Sequence, residues 1–446
     1  MIQDLIAASV VLSLLLSMLI GFSYVQKRWR VDPEITRKSV HIGMGLITLT
    51  FPWIFSSKLT VVILAVIAII SLLLIRQVKA FNSQAGAALG KVDRNSFGEI
   101  YFPVSVALVF DWSNGDVLLY VIPILILTFA DALAALVGKY FGRLFFTTPD
   151  GLKTIEGSAA FLVVAVICIS LPLLFLSDMD FFRALQIALL LGLLVMFIEA
   201  ISWSGLDNLF IPVCSFMLFD QFTQLDSFEL LLHLFLLVFL FLALFIWRHF
   251  GTLRNEAILA ATLYGYFAWT IGGGEWLLIA FVTLVIYPFL SPERKTDKDH
   301  HGMHVIFFVA GSGLIWLMLS KVFELPNLFF VYTFSFSLHL VMIGIVRYKA
   351  VKSDFNQFWL AVMTSVKGAV VVFTPYLMIN TGDDYRSLIF AFAIMLLVVA
   401  IFMKVSPRLH DYKESHGLNR WYLQTGLVFS GCVLSLIPHY FLMELA

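Results

Sequence analysis

Long apolar stretches alternate with short clusters of charged and polar residues along all 446 positions. The apolar runs fall near 4–24, 40–57, 59–75, 101–112, 117–138, 157–176, 184–203, 209–219, 228–247, 256–271, 276–290, 304–320, 328–346, 357–378, 387–403 and 421–443. Many approach the roughly 18 or more residues with which a helix crosses a hydrocarbon core. No alternating barrel pattern occurs, and backbone in lipid must satisfy its own hydrogen bonds, so helices are predicted. The fold expected is therefore all-α: a polytopic transmembrane helical bundle of about sixteen spans. Runs 101–112 and 209–219 are short for full-thickness helices and predict broken or re-entrant segments. Residues 1–24 read as an uncleaved first span, without a basic leader region or a small-residue cleavage site.

Charge adds a direction. Threading the sixteen runs puts 24 of the 29 Lys and Arg residues in one set of loops, among them Arg37, Lys38, Lys79, Lys91, Arg94, Lys139, Lys153, Arg294, Lys295, Lys298, Lys352 and Lys413. The positive-inside rule makes that side cytoplasmic and both termini non-cytoplasmic. An integral multi-pass protein is expected, in a bacterial inner (plasma) membrane, with its polar motifs facing the cytoplasm. Composition agrees: 61% of residues are hydrophobic and 13% charged, against about 25% charged in soluble proteins. A net charge of zero suggests no nucleic-acid partner. Cys168, Cys214 and Cys432 stand singly in apolar runs and read as packed thiols. Two domains are expected, 1–227 with most of the polar motifs and 228–446 with ordinary basic connectors; "WRHFGTLRNE" is the linker-like segment nearest that change.

Five polar patches lie on the predicted cytoplasmic side. In "TRKSVHIGMG", Arg37, Lys38 and His41 share a helical face, which suits phosphate or simple interfacial anchoring. In "FGEIYFP", Glu99 heads a short run, where a carboxylate favours a helix N-terminus. In "ADALAALVGKYFGR", Asp131 precedes Lys139 by about 12 Å of helix, which places a carboxylate inside the membrane. That costs roughly 2.5 kcal/mol or more and marks function. Ala134, Ala135, Gly138 and Gly142 form a groove of small side chains beside it, open to a nucleotide or to a neighbouring helix. In "DGLKTIEGSAAF", Lys153 can neutralise phosphate, Thr154 and Ser158 offer hydroxyls, Glu156 can hold Mg²⁺ or accept a proton, and Gly157 admits close backbone approach at a helix start. In "EAISWSGLDNLFIP", Glu199 sits within a run, and Asp207 with Asn208 is an oxygen-rich pair suited to Mg²⁺ or to helix capping. Carboxylates for metal beside cations for phosphate are what phosphoryl transfer requires. No GxxxxGK[ST] loop and no protein-kinase motif set occurs.

Taken in order, "RKSVH", "GEIYFP", "DALAALVGKYFGR", "KTIEGSAAF" and "EAISWSGLDNLFIP" resemble the CTP-dependent polyprenol kinases: dolichol kinase, phytol kinase and the fungal-type diacylglycerol kinase. The resemblance spans about residues 37–212. It implies CTP as phosphoryl donor, Mg²⁺ as cofactor, and a membrane lipid alcohol as acceptor. Asp131, Lys153, Glu156, Asp207 and Asn208 match motif positions, which implies nucleotide and Mg²⁺ binding, with Glu199 beside them. Arg37, Lys38 and His41 match as well. The middle two motifs also resemble phosphatidate cytidylyltransferases, so CDP-lipid synthesis is an alternative. A proton-coupled secondary transporter is a second, because intramembrane carboxylates and many spans also suit transport. The start of the second half resembles the phytyl-phosphate kinase family. It then departs from that pattern: "SFSLHLVMIGIVRY" offers His339 and no carboxylate, and "DKDHHGMH", with His300, His301 and His304, fits no zinc spacing. Asp131→Asn and Lys153→Ala are expected to abolish turnover in a folded protein, Asp131→Asn even with a gain in stability, because an unpaired buried charge is costly.

Overall fold

Polar punctuation sets where the helices start. The computed structural model describes residues 2–77, 97–148, 150–249, 253–290, 302–351, 355–380, 385–409 and 418–443. Lys79, Lys91, Arg94, Arg294, Lys295, Lys298, His300, His301, Lys352 and Lys413 lie outside the described residues. Asp32, Asp116, Thr154, Asp180 and Asn356 each accept a hydrogen bond from backbone N–H groups of the adjoining first helical turn. These caps satisfy donors that lipid cannot. Helices occupy most of the predicted apolar runs, but run 40–57 is split between Pro33–Leu49 and Phe51–Ile54 and so is not one span. Nine helices among the described residues are long and apolar enough to cross a membrane, and Lys58–Leu74 and Gly274–Ile286 are shorter apolar helices. The chain is a multi-pass, predominantly helical membrane protein. The two short runs are single helices, Gly98–Trp112 and Asp207–Thr223, each with an internal proline.

The chain divides into two compact units, Met1–Leu236 and Leu237–Ala446. Unit 1 contains α1 (Ile2–Trp29), α2 (Pro33–Leu49), a short α3 (Phe51–Ile54), α4 (Lys58–Gln77), α5 (Gly98–Trp112) and α6 (Val117–Leu125). A π-helical turn, Ile126–Ala130, joins α6 to α7 (Asp131–Phe141). A hairpin comes next, β1 (Phe145–Thr148) antiparallel to β2 (Gly151–Thr154), with Phe146 opposite Lys153. Then come α8 (Ile155–Leu176), α9 (Phe181–Ile201) and α10 (Asp207–Thr223). The continuous α6–α7 span and α9 form the centre, with 67% of each apolar window buried, whereas α1 is peripheral at 11%. Residues of α1 such as Ile2, Ile6 and Ile20 are exposed, as lipid-facing side chains are.

The polar motifs meet at one end of unit 1, where α2, α5, α8 and α10 begin and α7 and α9 finish. The other end is tied by different contacts. Buried Asp4 accepts from the Ser56 hydroxyl at 3.0 Å, Lys58 pairs with Asp111 at 3.2 Å, and Arg183 donates to the carbonyls of Thr223 and Leu225. The apolar pattern predicts neither the hairpin nor the π-helical turn; both lie at the polar end.

Unit 2 begins within α11 (Ser227–Trp247) and contains α12 (Asn255–Phe267), a second π-helical turn (Ala268–Gly272), α13 (Gly274–Leu290), α14 (Met303–Val322), α15 (Leu328–Val351), α16 (Gln357–Ile379), α17 (Tyr385–Leu409) and α18 (Leu418–Met443). Its core is built on α15, whose apolar window is 94% buried. His339 is fully buried there; its ring nitrogens lie 3.1 Å from Ser312 Oγ and 2.9 Å from Gln424 Nε2. His304 lies in the first turn of α14. The three cysteines are free thiols, with Cys168 and Cys432 buried.

One close crossing gives a test of this core. A Cβ on Gly368 would lie 2.3 Å from Val341 Cγ2 and 3.2 Å from the Ser337 carbonyl, whereas one on Gly311 would meet nothing within 4 Å. Gly368→Leu should destabilise by about 1–3 kcal/mol through overpacking. Gly311→Ala should leave the apparent melting temperature in detergent near the wild-type value.

Candidate active site

The site is built on two lysines, Lys38 buried and Lys153 half-buried, each neutralised by a carboxylate from a distant segment. Asp32 caps α2, accepting from Glu34 N–H at 2.7 Å, and Pro33 supplies a preformed first-turn φ. That start sets the helical phase, so Lys38 and His41, three residues apart, face the same neighbour. Gly45 lets α2 close on the π-helical turn: a Cβ there would lie 2.1 Å from Thr128 Oγ1. Across this contact Lys38 Nζ lies 2.7 Å from Asp131 Oδ2, with both residues about 95% or more buried. His41 Nε2 lies 2.9 Å from the Leu127 carbonyl and 3.5 Å from Asp131 Oδ2. A π-helical turn displaces the regular carbonyl pairing and rotates the helix beyond it, a device frequent at functional sites. Here it leaves the Leu127 carbonyl to His41 and starts α7 at Asp131.

The second pair is delivered by the hairpin. Gly151 opens β2 at φ +124°, where a side chain would be strained. Asp150 accepts from the Ser204 backbone N–H, and the Ser204 carbonyl accepts from Phe97 N–H at 3.1 Å. Ser204 and Gly205 both have positive φ, 54° and 82°, which folds the α9–α10 connection against the hairpin. Lys153, on β2, then donates to Glu199 Oε1 at 2.7 Å and to the Glu199 carbonyl. Burial alone would lower the Lys153 ammonium pKa. The Glu199 and Asp207 carboxylates outweigh it, assisted by Asp131, and hold it above the ordinary 10.5.

The two pairs form one electrostatic cluster. Asp131 and Asp207 both act on Lys153, and both act on Arg37. Arg37 itself pairs with Glu34 at 2.6 Å. At the rim, Asp32 holds Lys139 at 2.7 Å and Tyr140 at 3.2 Å, and the Lys139 hydrogen bond keeps the Asp32 carboxyl below its ordinary pKa. Asp207 and Asn208 occupy the first turn of α10, and Asn208 N–H donates to Asp207 Oδ1 at 2.9 Å. Asn208 Oδ1 is buried with no hydrogen-bond partner among the described residues.

Other expected residues serve nearby packing. The groove of small side chains is filled by the strand–helix junction: a Cβ on Gly138 would lie 2.9 Å from Thr154 Oγ1, and one on Gly142 would lie 2.4 Å from Thr154 Cγ2. Gly157 faces the Ala134 carbonyl across the same contact. Thr154 is buried and caps α8 through Gly157 N–H. Glu156 accepts from Leu144 N–H at 3.2 and 3.3 Å, closing the base of the hairpin, with Arg143 nearby. Ser158 is half-buried in the first turn of α8, and Glu99 half-buried in the first turn of α5. Asp131, Glu156, Asp207 and Glu199 do not gather as a metal cage: among the described residues no group of three or more His, Cys, Asp and Glu is placed to hold an ion. Mg²⁺ needs no such cage when phosphate oxygens and water complete its shell, and the orphaned Asn208 oxygen beside the Asp207 carboxylate fits it. Sequence reasoning missed Asp32, Asp150 and Ser204. An Asp-Pro helix start and a Pro-Asp-Gly turn are the signals that could have found the first two.

Comparison with known proteins finds a relative for part of the chain. The chain is 30% identical over 195 residues to a phytol kinase of Synechocystis sp., covering 41% of this chain and 76% of that protein. No family model matches, and no solved structure matches.

The buried pair changes what substitution should do. The sequence alone predicts that Asp131→Asn leaves the fold intact or stabilises it. With Lys38 buried against Asp131, it instead leaves an ammonium uncompensated, so each of Asp131→Asn and Lys38→Met should destabilise by about 3–5 kcal/mol. The double variant Lys38→Met/Asp131→Leu should recover most of the loss in unfolding midpoint, because both charges are then gone.

Proposed function

The chain belongs to the phytol kinase family, and from that premise we propose that unit 1 transfers the γ-phosphoryl group of CTP to the hydroxyl of a long-chain isoprenoid alcohol. The observation that carries this reading is the pair of lysine–carboxylate contacts, buried Lys38–Asp131 and part-buried Lys153–Glu199, joined through Asp207 and Arg37. Isolated structural ion pairs are a poor use of buried charge in a membrane protein. Paired amines held next to carboxylates are a stored set of phosphate ligands and countercharges.

In the step proposed, the acceptor oxygen bonds to the γ-phosphorus, the bond from that phosphorus to the β-bridging oxygen breaks, and CDP leaves with the electron pair. Lys153 and Lys38 exchange carboxylate partners for phosphate oxygens, and Arg37 adds a third cation; catalysis of this class is positioning and charge neutralisation. Mg²⁺, bound by Asp207 and Asn208 with the freed Asp131 or Glu199 carboxylate, would screen the triphosphate. The acceptor proton passes to His41 Nδ1, since Nε2–H is committed to the Leu127 carbonyl. Glu156 holds the hairpin that carries Lys153. The site faces the cytoplasm of a bacterial inner membrane, where the nucleotide is, and the acceptor stays in the bilayer.

Purified protein with γ-labelled CTP, Mg²⁺ and a series of alcohols should yield a labelled prenyl monophosphate and CDP. Release of diphosphate would mean cytidylyl transfer, and no labelled lipid from any acceptor would end the reading. Lys153→Ala should lower kcat/KM by about 10²-fold or more, the scale of losing one preorganised charge stabiliser. Lys153 has a folded pKa above 10.5, so while Glu199 is ionised its pairing contributes fully below the ordinary lysine pKa and is lost as pH rises through the folded value; at the acid end protonation of Glu199 removes it. An alkaline loss of activity near pH 8, shared by wild type and Lys153→Arg, would therefore come from another group.

A further inference from the structure

Below the charged cluster, unit 1 contains a cavity of about 70 Å³ between α1, α2, α4 and α5. Its wall includes Leu12 and Leu16 of α1, Met44 of α2, Ala68 of α4, and Phe102 and Val106 of α5. It is partly open at the side, where exposed Leu16 lines it. Two observations define what this one takes. First, its surface is carbon. The two hydroxyls on it are turned onto their own helices, Thr48 Oγ1 to the Gly45 carbonyl at 2.9 Å and Ser71 Oγ to the Ile67 carbonyl at 2.7 Å. A polar guest would find no donor there. Second, the cavity adjoins the site. Phe102 lies edge-on to the His41 ring, 5.5 Å between centroids, and Met44 and Thr48 follow His41 by about one and two turns of α2. On α5, Glu99, Phe102 and Val106 share a face, so a half-buried carboxylate stands at the polar end of an apolar stripe.

We infer that this cavity holds the hydrocarbon chain of the isoprenoid alcohol, threaded along α2 so that its hydroxyl emerges past Phe102 beside His41. The inference rests on the kinase reading for the identity of the chain. The phosphoryl-transfer site and the cavity then divide the substrate between them: charge and hydrogen bonding at the helix ends, dispersion and exclusion of water beneath. Phe102 is the partition. The chain's contacts select for length and branching, while the charged groups above are indifferent to both.

The test is photolabelling of the full-length protein in nanodiscs with a long-chain prenol carrying a diazirine near its far end. Labelled peptides should come from α1, α2, α4 and α5, and excess unlabelled long-chain prenol should compete while excess phosphatidylglycerol does not. Ala68→Phe and Ser71→Phe, on the cavity wall, should each reduce labelling about tenfold and raise KM for a long-chain alcohol while leaving KM for CTP and for a short-chain alcohol unchanged. Labelling elsewhere, equal competition by phospholipid, or full labelling in both variants would overturn the inference. The wild-type peptide map decides even if one variant misfolds. Labelling in the cavity with no phosphorylation of any alcohol would instead overturn the kinase reading and leave the chain site standing.

Discussion

The contact between Lys38 and Asp131 constrains the rest of unit 1. A carboxylate within the buried α6–α7 span is expensive, and so is a buried ammonium; each is tolerable because the other is 2.7 Å away. Meeting that distance requires α2 to begin at Pro33, to carry glycine where it crosses the π-helical turn, and to present Lys38 and His41 on one face. It also requires the turn itself, which gives His41 a carbonyl and points Asp131 at the ammonium.

The second pair solves the same problem with other parts. Lys153 is brought in by a hairpin whose tip is latched to Ser204 and whose base is closed by Glu156. The glycines of α7 let the strand–helix junction pack tightly enough to set the hairpin's height. Structure and chemistry are therefore one arrangement: the contacts that hold six helix ends together are the charges a triphosphate would need. A family resemblance to phytol kinases and an apolar cavity under His41 fit that arrangement from two directions, the polar donor above and the hydrocarbon acceptor below.

Much of this is legible in the sequence, because length and hydropathy alone specify membrane helices. Most apolar runs form helices, though 40–57 breaks at Thr50. Asp131 stands out because a charge inside an apolar run needs a reason, and Lys153, Asp207 and Arg37 because their motifs occur in order. Partnership is not legible. Lys38 and Asp131 are 93 residues apart, Lys153 and Glu199 are 46 apart, and no periodicity encodes such pairings. The same gap leaves the small-residue groove open between a nucleotide and a helix; Thr154 fills it. Glu156 looks like a metal ligand by residue type and instead faces a backbone N–H. The π-helical turn has no compositional mark, since Ile-Leu-Thr-Phe-Ala is ordinary helical sequence.

The central claim is that nucleotide phosphate replaces carboxylate at Lys38 and Lys153. Its most direct measurement is a cryo-electron microscopy structure of the protein in nanodiscs with Mg²⁺ and a non-hydrolysable CTP analogue. The account predicts phosphate density in hydrogen-bonding contact with Lys38 and Lys153, with both lysine–carboxylate contacts opened and metal density at Asp207 and Asn208. Nucleotide bound elsewhere, with Lys38–Asp131 and Lys153–Glu199 still closed, would contradict it.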